Sequence, residues 1–184
     1  MRKTIFVFVV AVVVALGAFG CKKPEQKQKP LEYTGAPMPA VISPMQIDQL
    51  QQAAKAAPKN SQAWVSLGDA LMDSRRFGEA IEAYQKGLTL DPKNVNARVD
   101  MGTCYRGIGK FDKAVEEYRK ALAIQPTHPN GHRNLAVVLA YDLHDTAQGV
   151  KEFKKYLELA PNAPDNEAVR QSIRELSAGS PAGK

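Results

Sequence analysis

Three histidines and two cysteines are the residues of this 184-residue chain with the widest chemical range. His128 and His132 are four apart, a spacing that puts two imidazoles on one face of a helix, where they can share a metal. Pro129 and Asn130 fall between them and mark a turn entering a helix, so the pair is not expected to bind one. Neither Cys21 nor Cys104 lies in a Cys-x-x-Cys or Cys-x-x-Cys-His sequence, which excludes dithiol redox chemistry and covalent haem attachment. Glu79, Glu82, Glu116 and Glu117 stand beside lysines and arginines, the pattern of a solvated helix face. No Gly-rich phosphate loop, nucleophile elbow or zinc motif is present. The expectation is therefore a non-enzyme with no catalytic residues, no metal, no cofactor and no small-molecule substrate. The net charge is +6, with Lys and Glu alternating and no basic stripe, so no nucleic-acid partner is expected either.

Cys21 does have a chemical context. Arg2 and Lys3 precede sixteen residues, Ile5 to Gly20, without a charge or an amide. This is a secretory signal pattern over residues 1–20, and it falls short of the roughly 20 residues of a spanning helix. The run ends Ala18-Phe19-Gly20-Cys21. These residues resemble the bacterial lipobox, in which small residues precede a cysteine that receives lipid before cleavage. The resemblance implies lipidation of Cys21 and anchoring to a membrane on the periplasmic side of a bacterial envelope. Ala18-x-Gly20 also meets the small-x-small rule for ordinary cleavage, which would give a soluble secreted or periplasmic protein. Lys22, Lys23, Lys27 and Lys29 follow and could add attraction to anionic headgroups or only keep the leader soluble.

Residues 21–43 contain Pro24, Pro30, Pro37 and Pro39 among Lys, Gln and Gly, with no apolar period, and read as a disordered linker. Beyond it, prolines recur at Pro58, Pro92, Pro126 and Pro161, spaced 34, 34 and 35 apart, the period of stacked repeats. Between them, apolar residues fall three and four apart, as on the buried stripe of a helix. Residues 61–94 carry Trp64, Leu67, Gly68, Leu71, Ala80, Tyr84, Gly87 and Pro92; residues 95–128 carry Met101, Gly102, Tyr105, Ala114, Tyr118, Ala121 and Pro126 at the same offsets. Residues 129–163 carry Leu135, Ala136, Leu139, Gly149, Phe153, Tyr156 and Pro161, with one extra residue expected in the turn near Asp142 to Thr146. The pattern resembles the tetratricopeptide repeat, a pair of antiparallel helices per unit.

The fold expected is all-α: a solenoid of three such pairs spanning residues 44–177. A half-repeat helix (44–60) precedes them, a cap helix (165–177) follows, and residues 178–184 form a flexible tail. Small residues at 68, 102 and 136, and at 80, 114 and 149, are expected to let paired helices approach. Tyr84, Tyr118 and Phe153 are expected to fill the space between neighbouring units. Gly109 suits the left-handed end of a first helix. Cys104, inside a repeat, reads as a buried small apolar residue rather than a partner for Cys21.

The resemblance also implies a concave face lined by the first helix of each pair. The family's usual contact positions fall here on Gln62, Val65, Asp69, Met72 and Asp73, on Asn96, Val99, Thr103 and Arg106, and on Asn130, Arg133, Val137 and Tyr141, with Asn134 nearby. The Lys and Asn that grip a peptide's terminal carboxylate in the family's best-known groove are replaced by Val65 and Asp69, so that specificity is not expected. Arg106, Arg133 and Asn134 could still hold a carboxylate or a carbonyl. The function expected is a protein-binding adaptor of the envelope, as in cytochrome c maturation or pilus assembly. The alternative is a self-associating structural lipoprotein without a peptide ligand.

Overall fold

The computed structural model describes residues 42–179. Cys21, the signal-like run and the linker as far as residue 41 lie outside the described residues, as does the tail from residue 180. Among the described residues the chain is a succession of α-helices: α1 (Pro44–Ala56), α2 (Ser61–Asp73), α3 (Phe77–Leu90), α4 (Val95–Gly107), α5 (Phe111–Ile124), α6 (Pro129–Val137), α7 (Thr146–Leu159) and α8 (Asn166–Gly179). Helices α2 and α3, α4 and α5, and α6 and α7 form the three pairs, and each helix also packs on the next. This is the α-solenoid with an N-terminal half-repeat helix and a C-terminal cap helix.

The recurring prolines do two jobs. Each stops the second helix of a unit, because proline disfavours helical angles at the residue before it. Each is also the second residue of a tight turn, closed by Asn60 N–H to Ala57 O (2.9 Å), Asn94 to Asp91 (3.3 Å), His128 to Gln125 (3.1 Å) and Ala163 to Ala160 (3.1 Å). In the first three turns the last residue caps the helix that follows. Asn60 Oδ1 accepts from Ala63 N–H, Asn94 Oδ1 from Ala97 N–H, and His128 Nδ1 from Gly131 N–H.

Glycine sets how closely the paired helices approach. A Cβ at position 68 would lie 2.7 Å from the Tyr84 ring, and one at 102 would lie 2.6 Å from the Tyr118 ring. The tyrosines therefore sit on the glycine of their own unit, rather than serving chiefly as fillers between units. Both rings are almost wholly buried, and Tyr84 donates its hydroxyl to Asp69 at 2.7 Å.

The third unit solves the same problem differently. Its extra residue lies upstream of the expected turn, in a π turn at Val138–Asp142 that extends α6. Leu143 N–H reaches back five residues to Val138 O (2.9 Å), and Asp145 N–H reaches Leu139 O at 2.7 Å. The latter bond replaces Arg76 to Leu71 (2.8 Å) and Lys110 to Tyr105 (2.9 Å) in the other units, one residue longer. The bulge pushes Ala140 toward α7, where a Cβ at 149 would lie 2.6 Å from the Ala140 Cβ and 2.9 Å from its backbone nitrogen. That explains why glycine stands at 149, where the other units have Ala80 and Ala114. The backbone then turns through a left-handed residue in all three units: Arg75 (φ 59°), Gly109 (φ 73°) and His144 (φ 57°).

One position in each first helix shows three residue types in a single role. Trp64 Nε1 donates to Pro58 O (3.0 Å), Arg98 donates to Pro92 O (3.0 Å), and His132 Nε2 pairs with Pro126 O (2.9 Å). The residue facing each from the second helix changes with it: Ala83 in the unit of Trp64, Glu117 bonded to Arg98 (2.8 Å), and Glu152 bonded to His132 (2.6 Å). Arg98 and Glu117 are largely buried, at 15% and 9% side-chain exposure; Glu117 also meets Lys120 at 2.8 Å, whereas Glu117 is the carboxylate that compensates Arg98.

At the ends, Ser43 and Gln46 form a reciprocal capping box that starts α1. Ile47 and Ala54 are buried against the array, whereas Ala53 is exposed. On α8, Val169 is buried and Ile173 and Leu176 are half-buried, while Ala168 faces solvent.

Two stability measurements check this account by urea denaturation. Gly102→Ala should lose about 1–3 kcal/mol through overpacking against Tyr118, whereas Gly78→Ala, on an open face of α3, should gain about 0.5–1 kcal/mol. Glu117→Ala should cost about 3 kcal/mol by stranding Arg98. Adding Arg98→Trp, which rebuilds the Trp64–Ala83 solution, should recover most of that loss.

A concave groove as the candidate functional site

Helices α2, α4 and α6 line a groove of about 620 Å³. Its walls are Asp69 and Met72 from α2, Asn96, Val99 and Asp100 from α4, and Asn130, Arg133 and Asn134 from α6, with the α6 cap His128 at one end. Asn96, Val99 and Asp100 are three and four residues apart, as are Asn130, Arg133 and Asn134, so each trio shares one helical face.

The groove thus gathers six of the positions that the resemblance implied, Asp69, Met72, Asn96, Val99, Asn130 and Arg133, together with the neighbouring Asn134. The others lie elsewhere. Val65 is buried where α2 meets Gly87 of α3, which has no side chain at that contact. Gln62 is exposed and bonds Ser66. Thr103 lies behind the wall, between the Tyr118 hydroxyl (3.2 Å) and Asn134 Nδ2 (3.3 Å). Val137 packs into the core of the third unit. Tyr141 is exposed and stands edge-on to Phe153 at 6.4 Å.

The two arginines expected to grip a ligand's carboxylate hold internal ones instead. Arg106 Nε donates to Asp142 (2.5 Å), tying the second unit to the third. Arg133 Nε donates to Asp165 (2.6 Å), tying the third unit to the start of α8, and the Tyr156 hydroxyl donates to the same carboxylate (2.5 Å). Both histidines near the groove are also committed. His128 Nδ1 caps α6 while its Nε2 meets Asn96 Oδ1 at 2.9 Å. His132 faces Glu152 and the Pro126 carbonyl. Among the described residues no cluster of three or more His, Cys, Asp and Glu side chains could hold a metal.

Asp100 and His128 are groove residues that the family positions omit. The signal for Asp100 was its place one residue past Val99, on the Asn96 stripe; the signal for His128 was its place in the 34-residue series of caps Asn60, Asn94 and His128. Asp100 is the more strongly perturbed of the groove's two carboxyl groups. Burial, then the charges of Asp69 and Asp73, push its carboxyl up to about 6. Asp69 is also raised, chiefly by burial, against the lowering effect of the Tyr84 hydroxyl. Burial and these carboxylates push the Cys104 thiol up to about 12, so this fully buried cysteine stays protonated and inert. Burial lowers His128, which favours the neutral ring its capping role needs.

A tetratricopeptide-repeat family model matches residues 71–138. Residues 71–138 thus match tetratricopeptide repeats, and the described helices have the fold of a tetratricopeptide-repeat solenoid. Small glutamine-rich tetratricopeptide repeat-containing protein 2 of Mycosarcoma maydis is 52% identical over 42 residues, which are 23% of this chain and 12% of that relative's length. Among solved structures, MamA matches with a TM-score of 0.67 at 22% identity, over 73% of this chain and 76% of that one. The first tetratricopeptide repeat domain of Spaghetti (RPAP3), bound to the HSP90 peptide SRMEEVD, matches with a TM-score of 0.60 at 21% identity, over 65% of this chain and 91% of its own. At these identities the structures show a shared fold. Tetratricopeptide-repeat domains bind proteins and peptides and are in general non-catalytic, and the concave groove is where this array offers unpaired polar groups on facing helices.

Asp100 has a measurable consequence for the repeat array. Its folded-state pKa lies above that of the unfolded chain, so the native state holds a proton that unfolding releases between about pH 4 and 6. Its effect on stability therefore worsens as pH rises through that window and levels off above it. Asp100→Asn should stabilise the domain at pH 7.5 by on the order of 1 kcal/mol, after allowing for its partial solvent exposure. The gain should vanish below pH 4, as thermal denaturation across the pH range would show.

Proposed function

We propose that this chain is a non-enzymatic adaptor of the bacterial cell envelope, exported, held to a membrane by lipid on Cys21, and binding a segment of a partner protein in its concave groove. The observation that carries the binding role is the groove itself, where three first helices present Asn96, Asn130, Asn134, Asp69 and Asp100 to one space. The tether rests on the charged start, the apolar run and the Gly20-Cys21 junction. Among the described residues no helix is long and apolar enough to cross a membrane. Assembly of an envelope complex, as in cytochrome c maturation or pilus assembly, is the setting in which an exported repeat adaptor would act. The RPAP3 domain shows this fold holding a peptide, but SRMEEVD is rich in carboxylates, and this groove presents carboxylates of its own. The chain's partner is accordingly of different chemistry.

Self-association is the second reading, and the exposed apolar residues Ile108, Tyr141 and Leu143 near the ends of α4 and the π turn favour it. Two experiments separate these ideas. Mass spectrometry of the mature protein should find a triacylated N-terminal Cys21, and Cys21→Ala should move the protein to the soluble fraction; an unmodified N-terminus would rule out the tether. A photo-crosslinking residue at exposed Asn130 should capture a heterologous protein that the same residue at Lys151 on α7 does not. Adducts only between copies of this chain would favour self-association instead.

A further inference from the structure

The groove presents two kinds of unsatisfied group at once. Asn96 is pinned through Oδ1 by His128 (2.9 Å), and Asn134 is pinned through Nδ2 by Thr103 (3.3 Å). These bonds leave an amide N–H on Asn96 and an amide carbonyl on Asn134 with no partner among the described residues. A fixed donor and a fixed acceptor facing one space match the main chain of an extended peptide, whose N–H and C=O groups must both be satisfied when covered.

The second kind is anionic. Asp69 uses Oδ1 for the Tyr84 hydroxyl and keeps Oδ2 free, and no donor among the described residues reaches Asp100. The nearby guanidinium groups do not neutralise them, because Arg133 and Arg106 are engaged by Asp165 and Asp142. Met72 and Val99 lie beside the carboxylates as an apolar floor. A long cationic side chain fits that combination, with its methylene stem on the apolar residues and its head on the carboxylates. A metal ion does not fit, since no three-ligand cluster is present among the described residues.

We propose that the groove binds an extended segment of a partner protein, holding its main chain through Asn96 and Asn134 and selecting a lysine or arginine side chain with Asp69 and Asp100. This rests on the reading of the array as a partner-binding adaptor and names the chemistry of the partner. The carboxylate Asp100 is held where ionisation is unfavourable, and a bound cation would relieve that.

The test is selection of a randomised eight-residue peptide library on the purified full-length chain, with circular dichroism confirming that each variant is folded. One peptide position should enrich Lys and Arg over Glu by roughly tenfold or more, the worth of one charge-assisted contact. Asp69→Asn with Asp100→Asn should abolish that preference, and Asp69→Lys with Asp100→Lys should turn it toward Glu. Asn96→Ala should weaken all bound peptides about equally, because it acts on the main chain. Enrichment of acidic residues, or a basic preference that survives both aspartate changes, would overturn the proposal and leave the adaptor reading standing. Failure to retain any peptide would overturn both. A synthetic peptide of residues 22–33 that outcompetes the selected sequences would overturn the assignment to a partner and put the chain's own lysine-rich segment in the groove.

Discussion

A glycine with no side chain beneath a tyrosine ring sets the distance between the paired helices of the first two units, and much else follows from that distance. The rings of Tyr84 and Tyr118 can lie flat in the gap only because positions 68 and 102 are empty of side-chain atoms. Their hydroxyls then emerge on the groove side, at Asp69 and Thr103. The contact that closes the core therefore also positions part of the polar lining. In the third unit, Ala136 and Phe153 replace the glycine and tyrosine, the hydroxyl is lost, and the close approach moves to Gly149 beneath the π turn. The lining there is supplied by α6 side chains alone.

The same groove shows how charge is apportioned along a solenoid. Arg133 in the groove and Arg106 outside it link neighbouring elements, to Asp165 and Asp142 respectively, and their Nε donors are thereby engaged within the chain. What remains unpaired is negative. The character of the surface is thus set as much by which charges are spent on holding units together as by which residues the groove contains.

Much of the fold was legible in the sequence because its signals are local and periodic. The prolines at 58, 92, 126 and 161, the small residues at 68, 102 and 136, and the aromatics at 84, 118 and 153 are read by offset alone. The position of the extra residue was not: a π turn and a longer connection add the same single residue, and only the clash at Gly149 tells them apart. The groove was half legible. Family positions located Asp69, Asn96 and Asn130, with Asn134 beside them, but they could not show that Val65 is consumed by contact with Gly87. The partners of Arg106 and Arg133 lie 36 and 32 residues away, in other units, beyond the reach of any local pattern. His128 as a helix cap was hidden by its type, since imidazole is an uncommon substitute for asparagine there.

The interchange of Trp64, Arg98 and His132 bears on how such arrays diverge. The three units present the facing pairs Trp–Ala, Arg–Glu and His–Glu at one site. Stepping directly from the first pair to the second through arginine beside alanine strands a buried charge. A histidine intermediate avoids this, because imidazole can be neutral beside alanine and can then pair with glutamate once it arrives. Arginine can follow with its counter-charge already in place. The third unit thus preserves, in chemical terms, a passable midpoint between the other two, and the order in which duplicated repeats accumulate substitutions is constrained by which proton can be given up along the way.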